Sequence, residues 1–403
     1  MILTGLHPNT TSKHISLVRE YMNFPKLYLG NKEQKLLESS LFAFPGVKSA
    51  HALDSGRSAL YIALKALNLP NGSAIGLSAY TCIVVRNAII QAGYVPHYID
   101  IDDSLSISPE ALEKNTSIKA LVTQHTFGVI HKEYEKILQF AKKQGIPIIE
   151  DAAHIIDKKK TNVDMRILSF GPEKSISAIR GGAVLVYNEL YTSAINELAN
   201  NLPVQPTRIT KRLARTQLLF NKLRLSYPRL LTKILLLLAK TLHITMPIIE
   251  KNELKGITSK WSPAQIGGIN AAIALNELRH IELRNTHRKK ILNIYKSILP
   301  HNAIIQRTHN SNSALEIAVY VTKKPSFVLE RLKQEGIHLS PSWLYSPIVP
   351  AKSFDSLSSE EHKNIKECLQ LHTFINDFVT LPTHHQITSQ QAYTIVTSLL
   401  PYV

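Results

Sequence analysis

Two periods alternate along the first half of the chain. Short apolar runs at 48–53, 74–78, 95–101, 118–124 and 146–150 read as buried strands, and segments with helical spacing lie between them at 58–67, 82–92, 109–114 and 132–144. An amphipathic helix at 32–44 precedes the series, and two hairpin-like strands follow at 166–170 and 182–187. Strands alternating with helices predict βαβ units, hence an α/β fold built on a mostly parallel sheet with helices on both faces.

The character of the chain changes near residue 200. Pro203 and Pro206 introduce a leucine-rich, basic run from Arg208 to Ile249, punctuated by Pro228 and Pro247. Its most apolar piece, Leu230 to Ala239, is interrupted by Lys233 and falls far short of the roughly 20 residues of a membrane span. The run reads as an amphipathic helical pair or as an excursion resting on another surface. Beyond it, Ser262-Pro263 predicts a helix start, with Ser as N-cap and Pro at the first helical position. A long helical pattern from Ala264 to Leu299, with a break, then leads into a C-terminal α+β region.

At 403 residues two domains are expected. The two cysteines, Cys82 and Cys368, supply neither a disulfide framework nor zinc spacing, which suits a reducing cytosol. Met1 to Leu17 has no apolar core segment, so no signal peptide is predicted. The formal net charge is +17, and about half of it has one owner: nine Lys or Arg and no Asp or Glu lie between Leu198 and Ile249. Such a surface attracts nucleic acid, anionic lipid or phosphorylated substrates, and charge alone does not choose among them. Nothing beyond charge points to a specific nucleic acid.

Candidate chemistry sits at strand ends. The run Ile146-Pro-Ile-Ile-Glu-Asp-Ala-Ala153 delivers Asp151 at the C-terminal end of a buried strand, where open α/β sheets bind ligands. A second short strand presents Ser169 and, in Ser169-Phe-Gly-Pro-Glu-Lys174, a lysine. A carboxylate for a pyridinium nitrogen, an amine for a Schiff base and a hydroxyl for a phosphate are what pyridoxal 5'-phosphate (PLP) requires. The turn Asp54-Ser-Gly-Arg-Ser58, between strand and helix, offers amides as an anion site; Gly56 lets the backbone come close, and Arg57 adds charge if it points inward. His125 ends another buried strand. Each feature has a plainer reading: an ordinary Ser-Gly turn, an Asp that caps a helix, a loop lysine, a core histidine. Gly-x4-Gly-Lys-Ser/Thr, Gly-x-Gly-x-x-Gly and Gly-x-Ser-x-Gly occur nowhere in the chain. His384-His385 and the pair His280/His287 lack further ligands at metal spacing and read as packing or surface histidines.

Taken in order, these residues resemble the DegT/DnrJ/StrS sugar aminotransferases, PLP enzymes of the aspartate aminotransferase fold (fold type I). The likeness runs from about Gly30 to the C-terminus, interrupted by the basic stretch. Ser55-Gly-Arg-Ser-Ala-Leu60 resembles the family's phosphate turn, and Tyr98-Ile-Asp-Ile-Asp102 and His125-Thr-Phe-Gly128 fall where it has Val-Asp-Ile-Asp and His-x-Tyr-Gly. Glu150-Asp-Ala-Ala153 matches the pyridine-nitrogen motif; Ser169 to Lys174 resembles Ser-Phe-x-x-x-Lys, followed by Gly181-Gly-Ala183. Gln265 to His287 resembles the linker helix and Leu381-Pro-Thr-His384 the late Leu-Pro segment. The chain departs from the family at Cys82, where an aromatic is usual, leaving Tyr80 or another group to stack on the ring. It also departs at Thr258-Ser-Lys260, where a partner-subunit Asn-x-Arg is usual, while His154 is within the family's range.

The resemblance implies a large PLP-binding domain over 1–260, carrying the basic insertion at about 203–255, and a linker helix with a small C-terminal domain over 261–403. It implies a homodimer with sites at its interface, Lys174 and Asp151 as catalytic groups, and PLP bound by these two with Ser55, Gly56, Arg57, Ser58, Tyr80, Cys82, His125, His154 and Ser169. It further implies transfer of an amino group from an amino acid, glutamate above all, to a keto sugar, commonly nucleotide-linked, and the basic insertion adds a lipid-linked sugar as the alternative. A Lys at position 174 favours amino transfer over the dehydration catalysed by relatives with His there. The basic insertion suggests a peripheral contact over 208–249 with the inner face of a membrane, against packing on the enzyme's own body or its partner. A scaffold that has lost turnover and serves as a regulatory or membrane-binding module is the alternative from another class.

Overall fold

The computed structural model describes residues 2–3, 7, 9–224, 230–242, 244–247, 249, 252–255, 262–306, 314–341 and 343–403. A seven-stranded sheet carries the first half of the chain. In chain order its strands are β1 (Ser49–Leu53), β2 (Ala74–Ser78), β3 (Val95–Ile99), β4 (Ala120–Gln124), β5 (Ile148–Asp151), β6 (Met165–Ser169) and β7 (Gly182–Val186). Their spatial order is β1-β7-β6-β5-β4-β2-β3. The five strands from β2 to β6 pair in parallel, while β7 runs antiparallel to both β6 and β1. The expected mostly parallel sheet is present, with each strand within three residues of its sequence-derived bounds.

The unbroken apolar runs follow from burial on both faces. In β7, Val184 and Val186 join a core with Ile62, Leu64 and Ile149, whereas Ala183 and Leu185 join another with Leu37, Leu41 and Ile273. That period of two along one strand is the pleat itself. A third cluster, including Tyr295, Val319, Val379, Leu381 and Ile395, gathers around an antiparallel pair, β8 (Glu316–Tyr320) and β9 (Phe378–Pro382).

Helix α1 (Gly56–Ala66) leaves the end of β1 with Ser55 as N-cap, its hydroxyl accepting from the Ser58 amide. The basic insertion forms two helices, α2 (Thr207–Arg224) and α3 (Leu230–Thr241). Two helices follow, α4 (Gly268–Arg279) and α5 (Ile281–Ile298), broken at His280. The expected helix start at Ser262-Pro263 is corrected. Residues 262–267 form no helix: Gln265 bridges to Leu53 and Val204, and the Ala264 carbonyl accepts from the Asp54 amide. That bridging holds the segment across the end of β1, so the helix begins at Gly268. The departure at Thr258-Ser-Lys260 lies outside the described residues.

Candidate active site

The C-terminal ends of β1, β4, β5 and β6 open on one edge, and β7 begins there. Gly182 is the Cα partner of both Leu53 and Ser169, and Asp151 is the partner of Gln124. A cavity on this edge is lined by Gly56, Arg57, Cys82, His125, Asp151, His154, Ser169 and Lys174, among others. Ten residues were expected to bind a cofactor besides Lys174; seven of them line this cavity, and Ser55 lines the one adjoining it.

The acidic end is built on β5. The Asp151 Oδ1 accepts from the Ala153 amide at 3.0 Å. Burial pushes its carboxyl above the ordinary range, against the pull of that amide and of Lys174. A cation brought to this carboxylate is therefore favoured. Glu150, its neighbour, points to the opposite face and into a buried network. The His125 Nε2 stands 2.7 Å from the Glu150 Oε1, and Arg166 pairs with Glu150 and, at 3.1 Å, with Asp157. Burial alone would raise Glu150, but Arg166 and His125 outweigh it and hold it at about 2. The carboxylate thus fixes the His125 ring, whose buried Nδ1 has no hydrogen-bond partner among the described residues. An orphaned polar atom at a cavity wall fits a ligand that carries a donor or acceptor there.

His154 supplies a flat wall. Its Nδ1 accepts from the Phe127 amide at 3.1 Å, which places the remaining proton on Nε2. Burial, with Lys174 and His125 nearby, holds its pKa well below the usual value, so the ring is neutral. It stacks parallel to Phe127 and meets Trp343 edge-on, centroids 5.4 Å apart. Cys82 lines the cavity with its thiol pushed up by burial. Tyr80 is the correction: it is fully buried, its hydroxyl donates to the Trp343 carbonyl at 2.6 Å, and it does not line the cavity. Rings of Phe127, Trp343 and Phe378 enclose it.

The other end is the N-terminus of α1. A Cβ on Gly56 would lie 3.0 Å from the Ser169 Cβ, and one on Gly182 would collide with the Gly56 backbone. These glycines let the helix start lie flat on the sheet edge, with the Ser169 hydroxyl beside it. The hydroxyls of Ser55 and Ser58 are 2.9 Å apart, and that of Ser58 donates to Asp54. Arg57 does point inward, but its guanidinium pairs with Glu253 from the end of the insertion. Sequence reasoning did not find that partner.

The lysine rides on a loop between β6 and β7 that other side chains hold. Asn9 donates to the Lys174 carbonyl at 2.9 Å, Arg288 to the Ser175 carbonyl at 2.9 Å, and the Ser175 hydroxyl to the His154 carbonyl at 2.9 Å. Gln124 and Trp343 also line the site and were not anticipated. Gln124 followed directly from the strand that delivers His125, whereas no spacing marks Trp343. A buried carboxylate, a lysine, a neutral ring wall and a helix N-terminus fit PLP in chemistry and arrangement.

The model of the DegT/DnrJ/EryC1/StrS aminotransferase family matches residues 8–216 and 262–400. A UDP-4-amino-4,6-dideoxy-N-acetyl-beta-L-altrosamine transaminase of Campylobacter jejuni is 30% identical over 210 residues, covering 50% of this chain and 55% of that protein. The chain thus spans about half the length of the curated relatives it matches. NtdA of Bacillus subtilis, solved with bound cofactor PMP, superposes with a TM-score of 0.69 at 18% identity, covering 99% of this chain and 84% of that one. Helicobacter pylori PseC, an aminotransferase involved in the biosynthesis of pseudoaminic acid, gives 0.66 at 18% identity, covering 97% and 96%. At those identities the likeness shows a shared fold. With the family model matched over most of its length, the chain belongs to the DegT/DnrJ/EryC1/StrS aminotransferase family.

Proposed function

We propose that this protein is a PLP-dependent aminotransferase that moves an amino group from an amino acid, glutamate above all, to a keto sugar carried on a nucleotide or lipid. One observation carries the reading: Asp151 and Lys174 line the same cavity as the Gly56 helix start and Ser169. PLP, when bound, supplies the electron sink for the reaction. Asp151 holds the proton on the ring nitrogen. The Lys174 Nζ would take a proton from the donor's Cα and deliver it to C4' of the bound cofactor, two bonds away. His154 packs on the ring, and the amides of residues 55–58 with the Ser169 hydroxyl bind the phosphate. We also place the protein in amino-sugar biosynthesis, as a homodimer in the cytoplasm with a peripheral membrane contact through residues 208–249. Among the described residues no helix is long and apolar enough to cross a membrane.

The visible absorption spectrum of the purified, PLP-supplemented protein tests the reading. A band of lysine-bound cofactor that bleaches on adding glutamate is expected. A band indifferent to glutamate overturns the donor. No band at all leaves the catalytically silent scaffold, a reading favoured by one observation: Glu253 already neutralises Arg57 beside the phosphate end. Flotation with anionic vesicles, compared between the intact protein and one lacking 208–249, tests the membrane contact; equal flotation would sink it.

A further inference from the structure

A second cavity, about 360 Å³, opens beside the first and shares Gly56, Arg57, Ser169, Lys174 and Trp343 with it. Its size is within the roughly 300–1,000 Å³ of small-molecule sites. The outer wall is Leu213 and Thr216 of α2 with Met246, Pro247 and Ile249. The family model passes over residues 217–261, so Met246, Pro247 and Ile249 are this chain's own addition to the space beside Lys174. That addition is a built wall. The Arg212 guanidinium holds the Thr245 carbonyl at 2.7 Å, and the Met246 amide donates to the Thr216 Oγ1 at 3.0 Å.

The chemistry of the wall discriminates between carriers. A nucleobase needs hydrogen-bond partners at fixed positions. Thr216 is the polar side chain the wall offers, and its hydroxyl is already committed, donating to the Arg212 carbonyl at 2.9 Å while accepting from Met246. The rest of that wall is Leu213, Met246, Pro247 and Ile249, faced across the cavity by Ile179 and Val349, with His7 and Glu173 at its polar margin. Positive charge enters from Arg180, whose contact with Asp54 is a long 3.9 Å, while burial pushes the nearby Glu173 carboxyl up, toward its neutral form. On the same insertion, α3 exposes Leu230, Leu231 and Leu237 to solvent at 74%, 67% and 61%, alongside Lys233 and Lys240. With no acidic residue from Leu198 to Ile249, this face complements an anionic lipid surface.

Resting on the aminotransferase reading, we infer that the insertion builds a subsite for a prenyl-diphosphate-linked sugar. The isoprenoid chain lies along Leu213, Met246 and Ile249, the diphosphate lies near Arg180, and α3 sits on the membrane from which the carrier comes.

Farnesyl diphosphate and UDP, added separately to the PLP-loaded protein, test this. The first readout is tryptophan fluorescence in a Trp261→Phe background, where Trp343, on the wall of both cavities, is the only tryptophan left. The second is the rate at which hydroxylamine bleaches the visible band. Farnesyl diphosphate is expected to quench Trp343 and slow bleaching several-fold, with UDP inert at equal concentration. Met246→Ser and Ile249→Ser are each expected to weaken farnesyl diphosphate about tenfold, the retained band showing that the fold is intact. Leu231→Ser/Leu237→Ser is expected to leave farnesyl diphosphate binding unaltered and to reduce flotation with 3:1 phosphatidylcholine/phosphatidylglycerol vesicles. Protection by UDP alone, or by neither probe, would overturn the inference. Dissociation of a dimer by the α3 changes would overturn its membrane part. If no band forms, the aminotransferase reading fails instead, and quenching of Trp343 by farnesyl diphosphate in the cofactor-free protein still decides whether the subsite exists.

Discussion

Gly56 and Ser169 stand so close across the sheet edge that a Cβ on Gly56 would lie 3.0 Å from the Cβ of Ser169. The contact joins the start of α1 to the end of β6, and Gly182 underlies it. Gly182→Ala drives a methyl into the Gly56 backbone, which has nowhere to go. The expected cost is about 1–3 kcal/mol, read as a lowered urea midpoint. Gly56→Ala sets its methyl 3.0 Å from the Ser169 Cβ and 3.2 Å from its Oγ, crowding of a few tenths of an ångström rather than a collision. Its expected signature is weaker PLP binding with a smaller loss of stability, measured by cofactor titration.

Lys174→Ala is expected to abolish the visible band of bound cofactor, and Asp151→Asn to keep the band while lowering turnover by roughly 10²–10⁴-fold. Retention of the band in Lys174→Ala would show that another amine holds the cofactor.

Glu150→Gln removes the charge that Arg166 and His125 share. Arg166 keeps Asp157 at 3.1 Å but loses its closer partner while remaining buried. Destabilisation on the order of 3 kcal/mol is expected in chemical denaturation.

Stability should fall in two acid windows. Burial holds His7 at about 4 and His385 at about 3, both below 6.5. Each therefore contributes stability that is complete above pH 6.5 and lost as pH falls through its folded value. For Glu277 and Glu361, burial acts upward, but His14 with Arg284 and Arg86 with Ser358 outweigh it, holding both, like Glu150, at about 2. Their contribution is complete above about pH 4.5 and is lost toward pH 2. Thermal melts from pH 7 to pH 3 should show a decline that begins between pH 6.5 and 5, before the carboxylates titrate. A flat profile down to pH 5 would contradict the buried neutral histidines.

Much of the first half was legible because burial on both faces writes strands as continuous apolar runs; in β7, the residues from Ala183 to Val186 alternate between two cores. Asp151, Ser169 and Lys174 could be found because strand ends converge on one edge by topology. Ser262-Pro263 misled because capping propensity is local, whereas Gln265 is held by bridges to Leu53 and Val204. The sequence around Cys82 offers Tyr80 or another group to stack on the ring, yet the Tyr80 hydroxyl is turned to Trp343. Trp343 itself, and the pairing of Arg57 with Glu253, depend on contacts 196 residues apart or more, which no local pattern records.

The cavity's lining has an uneven origin. All of it comes from residues 56–174 except Trp343, which arrives from the C-terminal third. That indole is tied to the floor it faces: the Trp343 carbonyl accepts from Tyr80, and Ile348 and Val349 pair in parallel with Thr81 and Cys82. The far end of the chain is thus a keystone of the pocket, whose wall and floor keep their shape together.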